Sequence, residues 1–338
     1  MQLTSKLAAL WNNRLNIFEA KIFKAPDGHQ LSYGFFAGDP NFRPVVIFIG
    51  LAQTYWQWIE FVSDLRARGV KGSFYVLDNR YQGQSGRFDA SRQQLAGLKS
   101  FQEHSDDAKY FLRFIRDEHK KTPWVIGHSM GAGIAATSFL QDADLFDGFM
   151  AINPMFAILQ PGLRAFMPIS LQKRVVKSLD GVVKTIPLGG SPVAECIMAE
   201  QKTRGEPFSV EEVFKKLPEG TDLGFEHTHS VVRAVFSNFI RITTRARITQ
   251  ITPRWYFESL EATQNIFLNA QRLRGKKITV VTADKDSVVD SRQIMEICER
   301  LGAKPVALKE CYHMAFEEQD QARDQLLAEV AAAYQREQ

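Results

Sequence analysis

Ser129 stands in Gly127-His128-Ser129-Met130-Gly131, a serine with a glycine two residues to either side. A serine hydroxyl becomes a useful nucleophile only when a base takes its proton. The segment Trp124-Val125-Ile126 entering this turn is apolar, and the segment Ala132-Gly133-Ile134-Ala135-Ala136 leaving it is rich in small residues. That is the strand–turn–helix context of a nucleophile elbow, where only glycine-sized residues fit at positions such as Gly127 and Gly131, and the serine is held in strained geometry with its hydroxyl exposed. Seven histidines are candidates for the base: His29, His104, His119, His128, His227, His229 and His313. An acid to orient that base would come from Asp284, Asp286 or Asp290, which share the segment 283–290, and spacing does not choose among them. Acyl chemistry also needs donors for a developing oxyanion. The Met130 backbone N–H is one, and the loop Gly50-Leu51-Ala52 is expected to supply the other through Leu51 N–H.

The elements that must position these residues can be read from apolar runs. Pro44–Gly50 is a continuous apolar run closed by glycine, as suits a central strand covered on both faces. Ala20–Ala25 and Leu31–Phe36 flank the turn Pro26-Asp27-Gly28 as two further strands. The chain then alternates: helix Trp56–Arg68, strand Ser73–Leu77, helix Phe101–Lys120 with Phe111, Leu112, Phe114 and Ile115 inward, strand Pro123–Gly127, helix Met130–Phe139 and strand Phe149–Ile152. It resumes with strand Ile278–Thr282, helix Ser291–Arg300, strand Val306–Lys309 and helix Gln319–Tyr334. Alternation of this kind predicts a mostly parallel central sheet with helices on both faces. The interruption between holds Pro161, Pro168, Pro187, Pro192, Pro207, Pro218 and Pro253, and reads as an inserted, mainly helical cap over the C-terminal edge of the sheet. The expected organisation is core 1–154, cap 155–270 and core 271–338, in an α/β-hydrolase fold. In that fold the triad follows the order serine, acid, histidine. His313, just beyond the last strand, satisfies it; His29, His104, His119 and His128 precede or lie in the elbow, and His227 and His229 fall in the cap.

Asp78-Asn79-Arg80-Tyr81-Gln82-Gly83-Gln84-Ser85-Gly86 resembles the D-x-R-G-x-G-x-S segment of the monoacylglycerol lipase and lysophospholipase branch of the α/β hydrolases, and the elbow has that branch's G-H-S-M-G form. Asp286-Ser287-Val288-Val289-Asp290 is similar to its D-x-x-V/L-x-D stretch, whose first aspartate is catalytic. The resemblance therefore implies Asp286 as the acid. Thr228-His229-Ser230 and Thr252-Pro253-Arg254-Trp255 resemble the bacterial lysophospholipases in particular. Three positions depart from the pattern: Ile49 stands where the family often has histidine, Gln53 where it has an acid, and Tyr81 where it has glycine. What the resemblance implies is a serine esterase that acts through an acyl-enzyme, needs no metal or organic cofactor, and releases fatty acid from lysophospholipids. Phe156, Ile158, Leu159, Leu163, Phe166 and Met167 are its expected acyl pocket, and cap arginines and lysines would meet the phosphate. The alternatives are a monoacylglycerol lipase, a small-ester carboxylesterase, a serine peptidase of the same branch, and a non-catalytic binding protein on this fold.

Composition narrows the setting. The chain has 338 residues, 45% hydrophobic and 24% charged, with a net charge of +4, too mild for a nucleic-acid partner. Residues 161–254 carry 14 Lys and Arg against 9 Asp and Glu, so the positive excess lies in the insertion, where it would suit an anionic surface or head group. No apolar run approaches the roughly 20 residues of a membrane span. Residues 1–18 predict an amphipathic helix through Leu3, Leu7, Leu10, Trp11 and Leu15, a candidate for peripheral contact with a membrane surface. Cys196, Cys298 and Cys311 form no disulfide or metal-binding pattern and read as buried or half-buried small hydrophobes. With no secretory signal legible, the expected location is cytoplasmic, with peripheral contact at the inner face of the membrane.

Overall fold

The computed structural model describes residues 3–158, 185–188, 192–204, 209–216 and 227–337. Its strands are β1 (Glu19–Lys24), β2 (Gln30–Phe36), β3 (Val45–Phe48), β4 (Phe74–Leu77), β5 (Leu95–Ala96), β6 (Trp124–His128), β7 (Gly148–Ile152), β8 (Ile186–Pro187), β9 (Gln250–Ile251), β10 (Ile278–Ala283) and β11 (Val306–Leu308). Its helices are α1 (Leu3–Asn12), α2 (Arg14–Ile17), α3 (Ile59–Ala67), α4 (Phe101–His119), α5 (Met130–Gln141), α6 (Pro192–Arg204), α7 (Val210–Lys216), α8 (Val231–Thr243), α9 (Pro253–Asn269), α10 (Ser291–Leu301) and α11 (Asp320–Arg336). Eight strands form the central sheet in the order β1-β2-β4-β3-β6-β7-β10-β11. The pairs β1–β2 and β2–β4 are antiparallel, and every pairing from β4 to β11 is parallel. Short β5, β9 and β8 make a second sheet.

Period-two alternation divides each central strand between two apolar layers. Val45, Ile47, Trp124, Ile126, Met150 and Ile152 pack on one side with α3 and α11. Val46, Phe48, Val125, Phe149 and Ala151 pack on the other with α4, α5 and α10. Burial on both faces is why these strands are apolar without interruption. Local signals set the helix ends. Ser100 caps α4 through its hydroxyl, which accepts from Gln102 N–H, and Asp290 caps α10 by accepting from the Arg292 and Gln293 N–H groups. Thr252 caps α9, with Pro253 opening the helix where its missing N–H costs nothing. Between β7 and β10 the chain leaves the sheet, and the described parts of that excursion hold α6 to α9.

Three expectations need correction. The single helix expected over residues 1–18 is two, α1 and α2, and its apolar face is not at the surface: Leu7 and Trp11 are buried, and the Trp11 ring lies edge-on to Phe236 and Phe239 of α8. Only Leu15 stays strongly exposed. Phe114 does not point inward; it sits on the outer side of α4 against Phe23. Cys196 is exposed, whereas Cys298 and Cys311 are buried.

Glu60 of α3 fastens the excursion to the sheet layers. It accepts from Arg233 Nε at 2.9 Å and Nη2 at 3.0 Å on α8, and from Lys6 Nζ at 3.0 Å on α1, with Arg323 of α11 alongside. Burial alone would raise its pKa, but the Arg233 hydrogen bonds and the Arg323, Arg233 and Lys6 charges outweigh that and bring it from 4.5 down to about 2. A carboxyl whose folded pKa is depressed contributes stability above its unfolded pKa and loses it as pH falls through the folded value. Glu60→Gln is therefore expected to cost about 3 kcal/mol near neutrality, because it removes the buried carboxylate that the Arg233 and Arg323 guanidinium groups share and leaves Arg233 with the exposed Asp320 and Arg323 with Asp64. The gap to wild type should shrink as pH falls from 4.5 toward about 2. Urea unfolding of both proteins at several pH values measures it. Equal midpoints at pH 6 would show that Glu60 fastens nothing.

Candidate active site

The parallel strands end on one edge, and their following loops meet there. The turn after β6 is the elbow. Ser129 has φ 51° and ψ −119°, a conformation L-residues adopt only under constraint. The constraint is close packing. A Cβ on Gly131 would lie 2.1 Å from Phe48 O, and one on Gly127 would lie 2.6 Å from Ala132 Cα, so only glycine fits at either position. Ser129 Oγ is 2.9 Å from His313 Nε2, and His313 Nδ1 is 2.7 Å from Asp286 Oδ2. His313 lies in the loop after β11, and Asp286 in the loop after β10.

The three carboxylates of the β10 loop have separate duties. Asp284 is exposed and accepts from the N–H groups of Glu310 and Cys311, both at 3.1 Å, which braces the next loop. Asp290 is the α10 cap. Asp286 alone of the three faces His313, and its side chain is 1% exposed. Burial would raise the Asp286 pKa. The His313 charge and hydrogen bond, with the Val288 and Val289 N–H groups at 2.8 and 3.1 Å from Oδ1, outweigh burial and hold the carboxyl below the usual carboxylate range. It therefore stays ionised beside the imidazole.

In the loop after β3, Gly50 N–H donates to Gln53 Oε1 at 2.7 Å and Ala52 N–H donates to Gln82 Oε1 at 2.8 Å. Ala52 takes φ 61° to make this turn. The intervening Leu51 N–H, like that of Met130, makes no hydrogen bond within the described residues. Leu51 lies on a cavity of about 290 Å³ whose lining also includes Ser129, His313, Leu188, Val288 and Met314.

Several residues around this cavity were not singled out by the sequence. Arg241 of α8 and Arg247 beyond it line the cavity, together with His227 and Asn238. A basic segment was evident, but nothing in its spacing marks which cations turn inward. His227 and His229, assigned to the cap, dock on the loop that bears His313. Met314 N–H donates to His227 O at 2.9 Å, and the His229 N–H and Nδ1 both meet Glu318. Two of the expected acyl-pocket residues do not line this cavity. Phe156 is buried in the core near Ala136 and Leu140, and Ile158 pairs with Val289. Leu159, Leu163, Phe166 and Met167 lie outside the described residues. Among the described residues no three His, Cys, Asp or Glu side chains are grouped to hold a metal, and no helix is long and apolar enough to cross a membrane.

A sequence profile of a family described as serine aminopeptidase, S33, matches residues 40–320. Lysophospholipase L2 of Escherichia coli K12 is 23% identical over 332 residues, which is 93% of this chain and 86% of that protein. Among solved structures, the Paleococcus ferrophilus monoacylglycerol lipase aligns with a TM-score of 0.63 at 15% identity, over 91% of this chain and 99% of that one. A soluble variant of the Saccharomyces cerevisiae monoglyceride lipase aligns with a TM-score of 0.65 at 14% identity, over 95% of each chain. A carboxyl esterase from Bacillus coagulans aligns with a TM-score of 0.66 at 13% identity, over 95% and 98%. These structures share the α/β-hydrolase fold with this chain.

Proposed function

Because the chain belongs to the serine aminopeptidase S33 family of α/β hydrolases, we propose that it hydrolyses carboxylic esters with Ser129 as nucleophile, His313 as base and Asp286 as the acid that orients the base. The observation that carries this reading is the imidazole of His313 lying within hydrogen-bond reach of both Ser129 Oγ and Asp286 Oδ2, at 2.9 and 2.7 Å. His313 Nε2 takes the hydroxyl proton as Oγ attacks the ester carbonyl. The Leu51 and Met130 N–H groups receive the oxyanion. His313 then protonates the leaving alcohol, and a water activated by the same ring releases the acid. Asp286 keeps the proton on Nδ1, so that Nε2 is bare when the hydroxyl must be deprotonated.

The substrate class is a single-chain lipid with an anionic head group, lysophospholipid ahead of monoacylglycerol. Two features support it: the likeness to a lysophospholipase along nearly the whole chain, and the placing of Arg241 and Arg247 on the cavity wall. Residues 155–270 act in this reading as the cap of a core made of 1–154 and 271–338, and their basic surplus would meet an anionic lipid surface. The test is a panel of lysophosphatidylethanolamine, monoacylglycerol, p-nitrophenyl butyrate and a prolyl-amide peptide, run on wild type and on Arg241→Gln/Arg247→Gln. Losing hydrogen bonds to a charged phosphate costs about 1.5–3 kcal/mol each. The double variant should therefore raise KM for the lysophospholipid at least about tenfold and change monoacylglycerol turnover by less than about threefold. A uniform loss across the panel removes the head-group assignment, and turnover of the peptide alone replaces the esterase reading.

A further inference from the structure

Behind the candidate triad lies a buried row of hydrogen bonds in which every donor points the same way. Gly50 N–H donates to Gln53 Oε1 at 2.7 Å, Gln53 Nε2 lies 3.0 Å from His128 Nδ1, and His128 Nε2 lies 3.1 Å from the main-chain carbonyl oxygen of His313. Gln53 is 3% exposed and His128 fully buried.

Both ends of the row are fixed by chemistry. A main-chain N–H can only donate, so the Gln53 oxygen must face Gly50 and its NH₂ must face His128. A carbonyl oxygen can only accept, so His128 must carry its proton on Nε2. Burial, with the nearby His313 charge, pushes the His128 pKa from 6.5 to about 3, so the ring has one proton to place and Nδ1 is left as an acceptor. The amide supplies the donor that Nδ1 needs. The packing admits little else: a Cβ on Gly50 would lie 2.9 Å from His128 Nδ1. A second donor holds the same carbonyl. Asn153, at φ 41° just after β7, donates from Nδ2 to His313 O at 2.7 Å and accepts from Ala283 N–H at 2.7 Å at the end of β10.

We propose that Gln53 and His128 are positioning residues for the reaction, with Gln53 setting the Nε2–H tautomer of His128 and His128, beside Asn153, holding the backbone of His313 in register with the oxyanion loop. The row begins at Gly50, whose neighbour Leu51 offers the oxyanion donor, and ends on the residue that offers the base. Two halves of the site that come from distant parts of the chain are thereby set by one chain of directed bonds. The proposal rests on the reading of Ser129 and His313 given above.

Two measurements test it. The first needs no catalysis: long-range ¹H–¹⁵N spectra of wild type should show His128 as the neutral Nε2–H tautomer from pH 5 to 8, and an Nδ1–H tautomer or an imidazolium there overturns the proposal. The second is kinetic. A misplacement of about 1 Å can cost on the order of 10²-fold. His128→Leu and Gln53→Met should lower kcat by about tenfold or more with KM changed less than about twofold. His128→Gln, whose amide still reaches the carbonyl as a donor, should be at least about fivefold faster than His128→Leu. Equal kcat for His128→Leu and wild type, or no rescue by glutamine, overturns the positioning role. Activity that survives Ser129→Ala would instead remove the functional reading while leaving the tautomer result standing.

Discussion

Ser129→Ala is expected to lower kcat/KM for the best ester substrate by about 10⁴- to 10⁶-fold and to abolish labelling by a fluorophosphonate, while the protein stays folded. The size follows from the nature of the reaction. In the proposed mechanism no acyl-enzyme forms without Oγ, and what would remain is attack by water, aided by the proposed oxyanion donors and by binding, a residue of catalysis on the order of 10³-fold over solution. Binding is a separate matter. The cavity wall, including Leu188, Val288, Arg241 and Arg247, is untouched by removing one oxygen, so the affinity for an uncleaved substrate analogue should change by less than about threefold. Stability should hold as well. Ser129 sits at φ 51°, a strained conformation that alanine shares, and among the described residues its hydroxyl bonds only His313. Ser129→Gly should even raise the melting temperature, because glycine adopts positive φ without penalty. If the alanine variant turned over the panel at the wild-type rate, another group would be the nucleophile, and neither the elbow geometry nor the motif could be kept as the argument for function.

The architecture was legible because burial leaves a mark on composition. A strand covered on both faces, such as β3 with Val45-Val46-Ile47-Phe48, has no solvent side on which to place a polar residue, so the run is apolar throughout. The elbow was legible for a related reason: two glycines are demanded by backbone contacts shorter than any Cβ allows, and such positions show directly as residue type. The corrections come from faces rather than elements. The stripe through Leu7 and Trp11 has the pattern of a surface-seeking helix, and only the tertiary structure places α8 against it. Phe114 has helical spacing like Phe111, yet the end of a stripe can turn outward without changing the pattern. Gln53, His128 and Asn153 left no signal of the positioning role proposed for them. Each acts by hydrogen bonds to segments 75 to 185 residues away, and a polar residue that satisfies a partner in another loop has no spacing to read. Gln53 was visible only as a departure from the family pattern. In the structure it joins the loop after β3 to the elbow histidine by side-chain hydrogen bonds at both ends of its amide.

The acid loop is where the sequence left three carboxylates and the geometry distributes them, which makes a set of three isosteric substitutions decisive. Asp286→Asn is expected to lower kcat by about 10⁴-fold with little change in KM or stability. The reason is the tautomer rather than the loss of a contact. The Asp286 carboxylate can only accept, so it draws the proton to His313 Nδ1 and leaves Nε2 bare toward Ser129 Oγ, 2.9 Å away. An asparagine turns its NH₂ toward Nδ1, because its oxygen remains occupied by the Val288 and Val289 N–H groups that now bond Oδ1. The proton then moves to Nε2, and the base faces the hydroxyl with a hydrogen instead of a lone pair. Asp284→Asn keeps an acceptor for the N–H groups of Glu310 and Cys311, and Asp290→Asn is still a good helix cap, so each should lose less than about fivefold in kcat and about 1 kcal/mol at most in stability. The three single variants, assayed for kcat on the same ester and for urea unfolding, separate the duties cleanly. Should Asp284→Asn prove the dead variant and Asp286→Asn the active one, the orienting acid would reach His313 from the other side of the loop, and the Asp286 contact at 2.7 Å would be a structural bond with no part in the reaction.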